Sequence, residues 1–213
     1  MWLIWEAQVG TVAYRRMLRD DIIVPMLPGV ARAPDIEDCR GIRAAALATH
    51  SRPGLVASGL AALWVHLGGT PPETLDLVAD EHRHLRSWTP SMPSRIHATT
   101  YDYGDAVARP ADALVDALRW ADLGIALPRA FQLVAAGAVD AGLAVRALDR
   151  ISSHDRSWKR AWSAWGALRD AQGLPIRVAA RCGDERRSGN EARDADSPHR
   201  GDTGAATRLV EIP

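Results

Sequence analysis

Three arginines, Arg15, Arg16 and Arg19, are the side chains whose type and spacing most suggest chemistry. At about 100° per residue they lie together along one side of a helix. A guanidinium there can bridge phosphates or pair with a guanine edge. Asp20 and Asp21 follow at once and weaken the local field, so phosphate contacts should outnumber base contacts. Arginine clusters also occur on ordinary solvated helix faces, and the residues alone leave both readings open.

Other constellations invite chemistry and fail on inspection. His82, His84 and His97 suggest a metal cluster, but no cysteine or carboxylate stands at a familiar ligand spacing, and a solvated basic loop is the better reading. Asp112 and Asp116 share a helix face, with Arg119 close enough to make Asp116 half of an ordinary surface pair. Nothing supplies the matched nucleophile, base and stabilising donor of a catalytic site, so the chain is read as a non-enzyme without metal or cofactor. Trp158, Trp162 and Trp165, with Lys159 and Arg160 between them, admit three readings: core packing, a partner-binding helix, or an aromatic-basic nucleic-acid platform.

Composition bounds these readings. The 213 residues carry a formal net charge of zero, so attraction to nucleic acid must come from a local patch. Lys159 is the only lysine among 26 basic residues, a bias that fits a GC-rich genome. Cys39 and Cys182 stand far apart, which excludes a disulfide scaffold and fits a reducing cytoplasm. Pro53 to Pro72 lacks charge but is interrupted by glycine and proline, so no spanning helix is expected there.

The elements that must position the arginines follow from pattern and punctuation. Trp2 to Gln8 predicts a short helix, and Val12 to Asp20 a second one with Thr11 as its cap. Val12 and Met17 should face inward. Ile22 to Val24 favours a strand, and Pro28-Gly29 a turn before Val30. A helix from Ile36, capped by Asp35, comes next. It precedes a strand at Leu55–Ala57, a helix capped by Ser58, and strands at Leu75–Ala79 and Arg95–Thr99. Helices should start at Pro110, Pro128 and Asp140, and the tryptophan segment should form another that ends near Gly173. From Cys182 onward no aromatic residue occurs and carboxylates mix with arginines, the composition of a disordered tail.

The run from Thr11 to Val30, a basic helix passing into a β-prone stretch that ends in Leu27-Pro-Gly-Val30, resembles the recognition helix and wing of a winged helix-turn-helix. It is similar to the N-terminal half of the AbiEi-type antitoxins and transcriptional regulators of type IV toxin–antitoxin systems, of the actinobacterial kind. Ala31 stands where that family has an aromatic, and only two helices precede the wing where a complete fold needs three. The resemblance continues through Gly54–Ser58, Ala61–Trp64, Leu75–Ala79, Arg109–Asp116 and Ala136–Val139.

That resemblance implies an α+β protein with a partial winged helix-turn-helix (1–33) and a mixed α/β antitoxin-like domain (34–151); beyond it, spacing and composition alone predict a helical extension (152–178) and a disordered tail (179–213). The resemblance implies a cytoplasmic DNA-binding regulator that represses its own promoter and opposes a nucleotidyltransferase toxin. Thr11, Tyr14, Arg15, Arg16 and Arg19 would contact duplex DNA. Arg83, Arg86, Trp158, Lys159 and Arg160 are further candidates for nucleic acid or the partner. Two alternatives stay open: a non-catalytic interaction protein, and the remnant of a fusion with a Vsr-like endonuclease whose nuclease domain is gone.

Overall fold

The computed structural model describes residues 2–80, 89–99, 101–152 and 154–174. The chain opens on a strand where a helix is expected. Leu3–Trp5 forms β1, and only the following turn, Glu6–Val9, is helical (α1). A tertiary partner decides the matter: Leu3 lies opposite Arg32 and Trp5 opposite Val30 in an antiparallel pair, and Leu3 is buried. Gly10, at φ 83°, breaks the helical path and takes the capping position expected of Thr11.

The second helix, α2, is Thr11–Arg19. Its end is closed by two hydrogen bonds, from the Asp21 N–H to the Leu18 carbonyl (3.3 Å) and from the Ile22 N–H to the Met17 carbonyl (2.9 Å). This closure puts Asp21 at φ 53°, a left-handed position usually given to glycine. Ile23 turns into a small cluster with Tyr14 and Ala31, so β2 begins only at Val24 and runs to Leu27. Pro28-Gly29 makes a two-residue turn, Gly29 taking φ 70°, into β3 (Val30–Arg32). The sheet order is β1-β3-β2, antiparallel throughout.

A second sheet follows α3, which is Arg40–Ala48 rather than a helix from Ile36; Cys39, not Asp35, stands at its cap. β4 (Val56–Ser58) leads straight into α4 (Gly59–Leu67), and β5 (Leu75–Asp80) and β6 (Ser94–Thr99) complete the sheet. β4 is antiparallel to β5, β5 is parallel to β6, and Ala57 also bridges Val107. The remaining elements are α5 (Pro110–Trp120), α6 (Leu123–Ala135), α7 (Ala141–Asp149) and α8 (Arg156–Ala171). Pro110 occupies the first turn of α5 as expected. Pro128, however, lies inside α6, whose start is capped by the Asp122 carboxylate accepting from the Gly124 N–H.

The architecture is α+β. Its main core surrounds α5, where Leu114 and Leu118 meet Leu133 of α6, Leu148 of α7 and Trp165 of α8, all fully buried. A second core joins Leu3, Met26, Leu27 and Val30 to Ile42, Ala46, Leu47, Leu75 and Leu77. These two cores run across the boundaries expected at 33/34 and 151/152. The first sheet is seated on α3, and residues of α8 are part of the main core. The expectation of a disordered tail over 179–213 lies outside the described residues.

Candidate nucleic-acid interface

α2 lies over the first sheet with Tyr14 turned inward. Tyr14 is only 4% exposed and packs in the cluster of Ile23 and Ala31, with Met17 and Leu18 half-buried beside it. Burial pushes its phenol above the usual value, and the neighbouring Glu6 carboxylate adds to that. Tyr14 is therefore a packing residue, unavailable to a DNA groove. Arg15, Arg16 and Arg19 are exposed away from Tyr14, and Thr11 is exposed at the start of the helix.

Val12 departs from expectation. The 3.6-residue pattern suggests that it faces inward, but the sheet covers the Tyr14 side and leaves Val12 85% exposed among the arginines. The arginines themselves differ in what holds them. Asp20 accepts from Arg19 Nε at 3.0 Å and lies 3.4 Å from Arg16 Nε, whereas Arg15 has no ion pair among the described residues.

The hairpin turn beside this helix is tied to the start of α1. Glu6 N–H donates to the Gly29 carbonyl at 2.8 Å. Behind the turn lies buried His50, with Nδ1 2.7 Å from Ser91 Oγ and Nε2 without a hydrogen-bond partner among the described residues. Burial lowers the pKa of this imidazole, outweighing the Pro28 carbonyl, which favours its protonated form. A neutral ring thus sits under the turn.

A second polar assembly lies within the main core and contains residues expected at the surface. Asp116 is 2% exposed and accepts from Ser58 Oγ (2.7 Å), Tyr103 OH (2.6 Å) and Arg119 Nη1 (2.8 Å). Arg119 continues to Asp155 (2.7 Å) and to Ser157 Oγ (2.9 Å), which joins α5 to the start of α8. Burial raises Asp116 against the pull of Arg119 and of the two hydroxyls. The Tyr103 phenol is pushed far above its usual range, first by burial and then by the Asp116 charge. Burial also acts to raise Asp155, but the Ser157 hydroxyl and amide, with Arg119, hold it below the usual carboxylate value.

This network ties β4, α5 and the start of α8 together, and Ser58 spends its Oγ on Asp116 instead of capping α4. Asp112 is likewise buried and paired, with Arg150, whose guanidinium lies 4.6 Å over the Tyr101 ring. Asp76, fully buried, holds Arg95 (3.0 Å) and His97 (3.1 Å), and His97 stacks on Trp120 at 3.6 Å. A cleft of about 700 Å³ opens nearby, lined by Leu47, Leu55, Val56, Val78, Tyr101 and Tyr103 among others. No group of histidine, cysteine and carboxylate side chains able to hold a metal occurs among the described residues.

The tryptophan stripe resolves into packing. Trp165 is 1% exposed in the main core, and Trp162 packs half-buried against it with Trp158 6.1 Å away. Arg160 donates to the Arg119 and Ala121 carbonyls at the end of α5, a helix terminus that favours a cation. Lys159 is exposed. Arg83 and Arg86, like His82 and His84, lie outside the described residues.

No protein-family model matches this sequence, and no curated protein matches it. Among solved structures, the chain is similar to the crystal structure of the RV2827C protein from Mycobacterium tuberculosis. The two are 15% identical with a TM-score of 0.42, over 82% of this chain and 73% of that one. No described helix is long and apolar enough to cross a membrane.

Proposed function

We propose that this chain is a DNA-binding transcriptional regulator that presents α2 to the major groove of duplex DNA. The observation that carries the reading is the element order β1-α1-α2-β2-β3 with sheet order β1-β3-β2, under an outward face of Arg15, Arg16 and Arg19. A winged helix-turn-helix has this order from its first strand onward. The second of its paired helices enters the groove, and the hairpin, here Pro28-Gly29, flanks the backbone. The helix that precedes the first strand in that fold has no counterpart among the described residues. By its resemblance to the AbiEi-type regulators, the protein would act as the antitoxin of a type IV system, repressing its own promoter and opposing a nucleotidyltransferase toxin.

Fluorescence anisotropy with duplexes from the gene's own upstream region tests the DNA reading. Replacing both Arg16 and Arg19 by alanine should weaken binding to all sequences and reduce the slope of log K against log salt by about 1.8. Equal binding by the double variant would refute it. Co-expression with a neighbouring nucleotidyltransferase tests the antitoxin reading separately, and growth that is not rescued would count against it.

A further inference from the structure

We propose that Val12 is a base-reading residue, seating its methyl groups on the C5-methyl group of a thymine while Arg15 pairs with a neighbouring guanine. This rests on the DNA-binding reading above and adds to it the chemistry of the sequence recognised. Val12 is the most exposed of the large apolar side chains among the described residues. Its place on the helix gives that exposure meaning. Arg15 and Arg16 follow it by three and four positions and Arg19 by seven, so Val12 stands at the centre of the arginine face, not at its margin. Side chains on a helix lean toward its N-terminus, which brings Arg15 and Arg16 back on either side of Val12. Whatever those guanidiniums grip must also cover an apolar branch point.

Few polyanions offer an apolar group at that place. A phosphate surface has none, and a single strand offers π-faces, which call for exposed aromatic rings. The only aromatic residue on α2, Tyr14, is buried. The major-groove edge of duplex DNA fits: thymine presents a methyl group beside an acceptor, guanine presents two acceptors to a fork of N–H donors, and phosphates flank both. The division of labour among the arginines agrees. Asp20 tethers Arg16 and Arg19, which suits fixed contacts to phosphate, while Arg15 is left without an ion pair among the described residues and is free to read a base.

The full-length protein is used to select from a pool of randomised duplexes about two helical turns long. Each thymine of the selected motif is then replaced by uracil, which deletes only the methyl group. At one position uracil should weaken binding by the parent protein about fourfold, the value of one buried methyl. Val12→Ala should bind the thymine and uracil duplexes alike; circular dichroism and thermal melting check that this exposed substitution leaves the fold intact. The assignment is overturned if the motif lacks thymine, if the parent ignores every methyl group, or if folded Val12→Ala still discriminates, all of which leave DNA binding standing. A protein that enriches no duplex and shows no salt-dependent binding to the pool overturns the DNA reading, and this assignment with it.

Discussion

Replacing Asp116 by alanine should cost far more than loss of a surface ion pair. The carboxylate is 2% exposed and accepts from Ser58, Tyr103 and Arg119. Its removal strands two hydroxyls, each a buried donor worth about 1–3 kcal/mol when unpaired. Arg119 keeps Asp155 and Ser157, so its charge is only partly orphaned. Breaking a buried ion pair from one side costs about 3–5 kcal/mol, and with the two hydroxyls the expected loss falls in the same range. In a thermal melt this is a drop of roughly 10 °C for a protein of this size. Urea unfolding of Asp116→Ala gives the magnitude, and Tyr103→Phe gives a scale, because it removes one donor and leaves two; about 1 kcal/mol is expected there. A loss below about 1 kcal/mol for Asp116→Ala would place this pair among exposed ones and refute the reasoning.

Asp21→Gly should stabilise the fold by about 1 kcal/mol in urea unfolding, since glycine relieves the left-handed φ of 53° that closes α2. Stability should fall on mild acidification. Burial holds His50 and His66 below the usual imidazole pKa, and for His66 the nearby Arg40 and Arg43 add to this. The unfolded chain therefore binds protons more readily, so stability is full above about pH 6.5 and declines as pH drops through the folded values. Urea midpoints that do not fall between about pH 7.5 and pH 5 would contradict this, and His50→Gln should flatten the decline. Deleting residues 1–33 should unfold or aggregate the remainder, because Leu3, Met26, Leu27 and Val30 would leave the second core, at about 1.5–3 kcal/mol each. A monomeric, cooperatively melting product would show that the first sheet is dispensable.

Helix punctuation was legible in the sequence where one residue carries it. Pro110 opens α5, Asp140 caps α7 through the Leu143 N–H, and Gly68 ends α4 at φ 77°. The outward placement of Arg15, Arg16 and Arg19 was legible too, because charge on a short helix seeks water. What escaped depends on partners distant in sequence. β1 reads as helix until β3 is beside it, and Val12 reads as inward until the sheet is seen to cover the Tyr14 side. Asp116 carried a signal that spacing to Arg119 concealed: Ala113, Leu114, Val115, Ala117 and Leu118 surround α5 with apolar positions, leaving no wet side for a carboxylate. Its partners Ser58 and Tyr103, and the Asp155 that Arg119 also holds, come from three separate stretches of chain that no local pattern joins.

The shared core behind α2 also sets how such a protein would measure DNA. Leu3, Met26, Leu27 and Val30 are seated against Ile42, Ala46 and Leu47, so the sheet on which the arginine helix packs is joined to the body. A reading head on a flexible tether tolerates half-sites at many separations; one fused to its body keeps a fixed azimuth. Two copies joined through their bodies would act as a rigid caliper. Each base pair inserted between half-sites turns one of them by about 36° around the duplex, at roughly ten base pairs per turn. Spacing, and not only sequence, would then be part of the address.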